Sequence, residues 1–244
     1  FPNVGKYYGG HFTYNGTDYP MGQHGFARDT EFEQAASGEN FVTYRLCADE
    51  ESKKVYPFDF VLEITHRLNG NRLTVEWNVK NTDNKEMYFT IGGHPAFNVN
   101  VLPDTDFEDY SLVFKEGTEK LSYVLLDAES GTAIGDKVYE LELTDSKYAL
   151  KKDMFDKDAL VFDGGQIEWA ALALPDGKPY IALESKGFPN FGIWSKPGAP
   201  YVCLEPWCGR CDNKGFEGEI SEKPGIIALK AGETFKKSYD IIVY

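Results

Sequence analysis

Apolar and polar residues alternate along two neighbouring segments of the chain that flank an Asn-Gly pair. The even-numbered residues are apolar between Phe58 and Thr65, and the odd-numbered residues are apolar between Arg72 and Lys80. Alternation with a period of two places the apolar side chains on one face of a strand. Asn69-Gly70 between the segments is a strong hairpin signal. These segments therefore predict an antiparallel hairpin with one buried face.

Short strand-like runs of the same kind recur along the chain. They lie at residues 88–91, 111–114, 167–174, 180–184, 201–205, 226–229 and 238–244. Most of the 24 Gly and 12 Pro fall between such runs, as turn residues do. The pattern predicts an all-β fold, a large antiparallel β-sandwich, and it excludes a βαβ architecture.

Helical periodicity is scarce. The best candidate runs from Asp145 to Phe155, with Asp145 or Ser146 as the N-cap and Tyr148, Leu150 and Met154 as its apolar stripe. It predicts one or two helical turns. No linker or internal repeat divides the sequence, so we expect a single domain over residues 1–244.

The net charge of −14, from 39 acidic and 25 basic residues, argues against two classes of partner. An acidic protein repels phosphate backbones and anionic bilayers, so we expect neither a nucleic acid nor a membrane partner. No run of 18 apolar residues is present to span a bilayer. Four cysteines, three of them within nine residues, do not form a disulfide framework, which favours a cytoplasmic location.

The sequence Trp207-Cys208-Gly209-Arg210-Cys211 is similar to a thioredoxin redox centre. That chemistry needs a thiolate at a helix N-terminus, and the glycine-rich residues that follow do not favour a helix. A zinc site would need further ligands, which Cys203 and a distant histidine could supply, although the spacing is irregular. Unreactive thiols near a loop are the favoured interpretation, and no metal is expected.

Three residues have a sequence context suited to acid–base chemistry. His24 and His94 lie beside glycines, which allow a sharp turn or the close approach of a ligand. Glu205 is the last residue of an apolar run and precedes Pro206, so burial should raise its pKa towards that of a general base. The alternative without a catalytic role is that the two histidines are structural and that the carboxylate of Glu205 is solvated at a strand end. His11 and His66 are expected to be surface or packing residues.

Five stretches of the sequence, in this order, resemble the aldose 1-epimerase (galactose mutarotase) superfamily, in its bacterial mutarotase-related branch. They are FPNVGK (residues 1–6), QHGFARD (23–29), GGHPAFN (92–98), IWSKP (193–197) and CLEPW continuing to Asp212 (203–212). The resemblance implies a β-supersandwich that binds a free sugar and interconverts its anomers without a cofactor. Members of the family carry further strands before the position of Phe1, so we expect those strands to be missing from this sequence.

The resemblance also assigns roles to individual residues. It implies that Glu205 is the catalytic base, that His94 is the acid and that His24 helps to hold the sugar. Lys6 falls where the family has an arginine that contacts the substrate, which keeps the charge but loses the bidentate geometry. It further implies Asp158 as a sugar contact and Arg28 as a contact to a hydroxyl or a phosphate. Beside the resemblance, the aromatic residues Phe97, Trp194 and Trp207 are candidates for one wall of the sugar site, and the alternative is that all three rings are core residues.

These roles predict an isomerase that opens the ring of an aldohexose such as galactose or glucose. The base and the acid should then flank C1 and O5 from opposite sides, across a gap sized for a pyranose. A hexose-6-phosphate mutarotase is a competing interpretation, in which Lys6, Arg28 and Arg210 form a local cationic patch. A carbohydrate-binding module without catalysis would keep the cleft but needs no acid–base pair, and a glycosidase would need a second carboxylate.

Overall fold

The computed structural model describes residues 1–244, which form many short strands and a few single helical turns. The first strands are β1 (His11–Tyr14), β2 (Thr17–Pro20), β3 (Glu33–Ser37), β4 (Phe41–Cys47), β5 (Phe60–Asn69), β6 (Arg72–Asn81), β7 (Met87–Phe89) and β8 (Ile91–Gly92). The central strands are β9 (Ala96–Asn98), β10 (Ser111–Phe114), β11 (Lys120–Leu126), β12 (Ala133–Glu142), β13 (Lys147–Ala149), β14 (Leu160–Asp163), β15 (Trp169–Ala173), β16 (Pro179–Glu184), β17 (Asn190–Trp194) and β18 (Tyr201–Cys208). The last strands are β19 (Ile227–Leu229) and β20 (Thr234–Val243).

Helical structure is limited to short segments. The α-helix α1 covers Ser52–Val55, and 3-10 turns cover Tyr8–Gly10, Ala27–Asp29, Phe107–Asp109 and Ile220–Glu222. None of the helices has the length and apolar character needed to cross a membrane. Together with the antiparallel pairing of the strands, this confirms the predicted all-β class.

The chain divides into two compact units by its internal contacts. The first contains Phe1–Gly92, Ser130–Thr132 and Cys208–Asp240, and the second contains Gly93–Glu129, Ala133–Trp207 and Ile241–Tyr244. The candidate acid–base residues His94 and Glu205 therefore belong to the second unit.

In the first unit, β5 and β6 form the predicted hairpin, from the pair Phe60↔Asn81 to the pair Asn69↔Arg72. The two-residue loop between them begins at Gly70, whose φ of +60° suits a residue without a Cβ atom. β4 and β3 extend this sheet in the order β6-β5-β4-β3. The core contains a cluster of fully buried aromatic side chains, namely Tyr56, Phe58, Phe60 and Phe89.

The second unit contains strands of two antiparallel sheets. One has the order β13-β10-β15-β16, and the second has the order β12-β11-β14-β17-β18, with β9 also paired to β18. Small buried residues of β15 and β16, such as Ala171 and Ala182, pack with Val113 and Ile242. In the second of these sheets, β17 and β18 pair from Trp194↔Cys203 to Asn190↔Trp207, and this pairing positions the candidate site.

The helix predicted from Asp145 to Phe155 is absent. Asp145 and Ser146 have positive φ angles of 51° and 59°, which form a turn that helical geometry does not allow. Residues Lys147–Ala149 then form β13, which pairs with β10, and turns follow. The prediction was wrong because the spacing of Tyr148 and Leu150 fits a strand as well as a helix.

Candidate active site

One face of β18 carries Cys203, Glu205 and Trp207, because successive side chains of a strand point to opposite faces. Glu205 is only 2% exposed. It does not end the strand as the sequence suggested, since pairing with β17 continues through Phe191↔Pro206 to Asn190↔Trp207. Pro206 cannot donate to the ladder, but its carbonyl accepts a hydrogen bond from Gly93 N at 3.0 Å, so the pairing continues through one bond at this position.

His94 lies directly across from Glu205 in an antiparallel register. Gly93 N donates to the carbonyl of Pro206, and Leu204 N donates to the carbonyl of Pro95 at 3.2 Å, so one hydrogen bond lies on each side of the pair. The same register continues into β9, where Ala96 pairs with Cys203. Residues that face each other in such a ladder carry their side chains on the same face. Backbone pairing therefore brings together two residues that are distant in the sequence.

The two side chains differ in their access to solvent. His94 Nε2 lies 3.5 Å from Glu205 Oε1, and the His94 side chain is 44% exposed whereas that of Glu205 is 3% exposed. The separation is too short for a sugar ring to lie between them, so the expected pyranose-sized gap is not found. A ligand from solvent would instead meet the imidazole and the carboxyl side by side.

The environment of Glu205 raises its pKa to about 8. Burial is the main cause, because it disfavours the ionised form, and the negative charge of Asp158 acts in the same direction. A hydrogen bond from the Trp207 side chain opposes both effects by stabilising the carboxylate. The raised pKa expected from the sequence is thus confirmed.

Asp158 precedes β14 and is exposed, with a φ of +73°. Its Oδ1 accepts a hydrogen bond of 2.7 Å from Ala159 N, which fixes the carboxylate at the start of the strand. Since its charge influences Glu205, the structure places Asp158 in the neighbourhood of the acid–base pair. Its predicted contact with sugar is not tested by this placement.

The indole of Trp207 occupies space that exists because residue 192 is a glycine. Gly192 pairs with Glu205 across β17 and β18. A Cβ atom there would lie 2.3 Å from Cζ2 of Trp207, which no side chain allows. Gly192 therefore allows the indole to lie against the strand, where it reaches the Glu205 carboxylate.

The two remaining aromatic candidates have different positions. Trp194 is half-buried, and its ring meets the imidazole of His94 edge-on at a centroid distance of 6.0 Å. Phe97 pairs with Val202, which is three residues from Glu205, so Phe97 points to the opposite face of the sheet and is buried. Phe97 therefore belongs to the core, and its predicted sugar contact is not supported. For Trp194 the core was expected at least as much as the site, and the ring lies beside His94.

His24, Lys6 and Arg28 lie in the first unit. Gly5 N donates to His24 Nδ1 at 3.1 Å, and His24 N donates to the Gly5 carbonyl at 2.8 Å, which joins the two glycine-containing segments. With Nδ1 as an acceptor, the neutral ring carries its proton on Nε2. Lys6 extends along Gly131, and exposed Arg28 pairs with Asp29 at 3.1 Å. The sugar-binding roles of His24, Lys6 and Arg28 stay predictions.

The four cysteines are free thiols. Cys208 and Cys211 are buried and no helix follows them, as expected, and burial raises the pKa of Cys208 to about 12. A thiol of this kind is a poor redox nucleophile. Cys203 lies elsewhere, beside His94 and Glu205, with one ligand atom of each residue within 4.8 Å of the others. This proximity was not predicted from the sequence, although a spacing of two residues in one strand indicates a shared face.

Comparison with known proteins shows the family and the fold to which the chain is similar. The family model for aldose 1-epimerase matches residues 3–241, which covers both compact units. A galactose mutarotase related enzyme from Lactobacillus acidophilus superposes with a TM-score of 0.93 and 31% identity, over 100% of this chain and 81% of that one. A galactose mutarotase-like protein from Lactobacillus casei gives a TM-score of 0.88 and 29% identity, over 100% and 83% of the two chains.

The LacX protein of Lactococcus lactis subsp. lactis is a relative by sequence. It is 31% identical over 224 residues, which is 91% of this chain and 74% of LacX. The fold is therefore the galactose mutarotase-like sandwich. The extent of the family match places the whole described chain in one family: the protein is a member of the aldose 1-epimerase family.

Proposed function

We propose that the protein is an aldose 1-epimerase that interconverts the α and β anomers of a free aldohexose such as galactose or glucose, without a cofactor. The observation that carries the proposal is the contact of 3.5 Å between the exposed imidazole of His94 and the buried carboxyl of Glu205. Two groups that exchange protons readily, presented side by side, suit a reaction that moves one proton off an oxygen and another onto its neighbour.

In the proposed reaction, the Glu205 carboxylate removes the proton of the hydroxyl on C1 while the His94 imidazolium protonates the ring oxygen O5. The C1–O5 bond breaks and gives the open aldehyde. Rotation about C1–C2 presents the opposite face of the carbonyl. As the ring closes, His94 takes the proton back from the C5 hydroxyl and Glu205 returns its proton to O1. O1 and O5 are bonded to the same carbon, so an acid and a base that stand side by side reach both oxygens.

Neighbouring groups support this division of roles. The Trp207 side chain donates to Glu205 and favours the carboxylate that acts as base. Trp194 lies edge-on to His94 and supplies an aromatic surface next to the reacting atoms. Aromatic rings and a few polar groups are typical of sites that bind sugars and similar small molecules.

Polarimetry of freshly dissolved α-D-glucose and α-D-galactose tests the proposal. The protein should speed the change in rotation above the buffer rate, and Glu205→Gln should lose about 100-fold or more, because a general base typically contributes about 10²–10⁴-fold. Glu142→Gln is the matched control, since Glu142 is an exposed carboxyl of the same unit. Undiminished catalysis by Glu205→Gln would show that the assignment is wrong.

Related assays separate the competing functions. Sugar affinity without rate enhancement would indicate a binding module, and release of nitrophenol from nitrophenyl glycosides would indicate a glycosidase. A preference for glucose 6-phosphate over glucose would indicate a hexose-6-phosphate mutarotase. Arg28 pairs with Asp29, so it is not preorganised for phosphate, and the free hexose is the substrate that we favour.

A further inference from the structure

Cys203 is the one member of the cluster around Glu205 to which the proposed reaction gives no role. Its thiol is buried on the same face of β18 as Glu205, and Ala96, its cross-strand neighbour, is too small to separate it from His94. One sulfur, one imidazole nitrogen and one carboxylate oxygen thus lie within 4.8 Å of one another.

We infer that His94, Cys203 and Glu205 form a binding site for a zinc ion, and that zinc bound there inhibits the protein by occupying its acid–base pair. Thiolate, imidazole and carboxylate are the ligands that proteins offer to Zn²⁺, at about 2.3 Å for sulfur and about 2.0–2.2 Å for nitrogen and oxygen. Three protein ligands leave a fourth position for water.

The distances fit a tetrahedral ion with little movement. In such a site, neighbouring ligand atoms lie about 3.4–3.6 Å apart. The separation of 3.5 Å between His94 Nε2 and Glu205 Oε1 already has this value. The sulfur lies within 4.8 Å of the other two ligand atoms and needs to approach by at most about 1.4 Å, which a rotation of the Cys203 side chain supplies.

Access and rigidity also favour the site. The His94 side chain is 44% exposed, so an ion from solvent meets the imidazole first. The backbone hydrogen bonds on either side of the His94–Glu205 pair hold two ligands on a rigid ladder. On binding, the Cys203 thiol and the Glu205 carboxyl each release a proton to solvent as the Zn–S and Zn–O bonds form, and the imidazole binds in its neutral form.

Bound zinc would prevent His94 from donating a proton and Glu205 from accepting one. Only this inhibition rests on the proposed function, since the binding site itself does not depend on the reaction. Micromolar zinc should therefore suppress mutarotation, and a chelator should restore it. A higher sugar concentration should weaken the inhibition, because sugar and zinc compete for the same residues.

Direct metal binding is the test, with protein that carries no affinity tag and with no sugar present. Titration with ZnCl₂ in a calorimeter should show one site, and Co²⁺ should produce the near-ultraviolet charge-transfer band of a cobalt–thiolate bond. Cys203→Ser should lower zinc affinity at least about 100-fold and remove the band. The matched control is Cys208→Ser, which changes another buried thiol of the same strand and should leave both signals unchanged.

His94→Gln provides a second variant, because an exposed side chain is replaced without disturbance of the core, and it should also weaken zinc binding. The inference is overturned by absence of binding, by a band that persists in Cys203→Ser, or by loss of the band in Cys208→Ser. If zinc binds as described and the protein has no mutarotase activity, the proposed function fails and the metal site stands. If the protein is active and zinc does not bind, only the metal site fails.

Discussion

The Trp207 side chain donates a hydrogen bond to the carboxylate of Glu205 from two residues further along the same strand. The two side chains share one face of β18, and Gly192 on β17 leaves the space that the indole fills. This hydrogen bond opposes the burial that otherwise favours the protonated carboxyl. The acid–base behaviour of Glu205 thus depends on Trp207.

Trp207→Phe should reduce kcat/KM by about 10-fold, because a hydrogen bond to a charged group contributes about 1.5–3 kcal/mol. The loss of the N–H group leaves burial unopposed, so the pKa of Glu205 should rise above its wild-type value. The pH at which activity falls on the alkaline side should rise with it. Rates measured across pH check both effects, with Trp169→Phe as a control that alters a half-buried indole of the same unit.

An alkaline limit that did not move in Trp207→Phe would contradict this account of the hydrogen bond. A loss of rate without a shift in the pH profile would indicate that the indole contacts the sugar and does not adjust Glu205.

The wild-type protein should lose activity as the pH rises through about 8. The reaction needs one proton on the His94–Glu205 pair, and the raised pKa of Glu205, about 8, keeps a proton on the pair below that pH. Above this pH the pair becomes fully deprotonated and His94 no longer acts as an acid. Enzymatic rates corrected for buffer catalysis test this, and a kcat/KM that is constant from about pH 7 to about pH 10 would contradict it.

The fold was predictable where apolar and polar residues alternate, as in the hairpin β5–β6, and where short apolar runs lie between turn residues, as in β10, β15, β16 and β18. Strands at the sheet edges were missed, and β3 and β12 show why. Their side chains are mostly exposed on both faces, so the sequence carries no apolar alternation to detect. Their strand structure comes from pairing with neighbours, which the local sequence does not encode.

The residues of the site were predictable one by one, but their positions relative to one another were not. His94 and Glu205 each have a context that suggested chemistry, yet their separation is fixed by the register between β18 and the segment before β9. The same register places Phe97 on the far face, against the prediction. Cys203 could have been added from its spacing to Glu205, since residues i and i+2 of a strand share a face.

Glu205→Gln should stabilise the fold, and more so at higher pH. The carboxyl has an ordinary pKa of 4.5 and a folded value of about 8, so the folded state retains a proton that the unfolded chain releases. Wild-type stability is therefore lost as the pH rises from about 4.5 through 8, by at most about 5 kcal/mol. Glutamine does not titrate, so the variant avoids this loss.

Urea denaturation at about pH 4 and about pH 9, on either side of this range, measures the effect, with Glu142→Gln as the control. The free energy of unfolding of Glu205→Gln should exceed that of the wild type by more at the higher pH. An equal difference at the two pH values would show that Glu205 is not held protonated by the fold.

Gly192→Ala should destabilise the protein by about 1–3 kcal/mol and lower its activity, because the new methyl group displaces the Trp207 indole. In a Trp207→Leu background, Gly192→Ala should destabilise the protein much less, because the indole that the new methyl group would contact is absent. Denaturation of the two single variants and the double variant gives the coupling energy. Equal costs in both backgrounds would show that Trp207 is not what requires glycine at residue 192.

A buried ion pair in the first unit gives the last prediction. Lys223 Nζ contacts Asp212 Oδ1, with side chains that are 1% and 2% exposed. The second carboxylate oxygen of Asp212 accepts from Tyr8 N at 2.8 Å, and Asp212 N donates to the carbonyl of Lys6. Asp212→Asn should cost about 3–5 kcal/mol, because it leaves a buried ammonium group without its partner charge.

The cost of Asp212→Asn should fall as the pH rises above neutral. Burial lowers the pKa of Lys223 and Asp212 opposes that effect, so the amine of the variant loses its proton more readily as the pH rises. Adding Lys223→Met removes the uncompensated charge and should recover most of the stability. Urea denaturation of the two single variants and the double variant tests this. If the double variant loses as much free energy of unfolding as the two single variants together, the pair does not act as a unit.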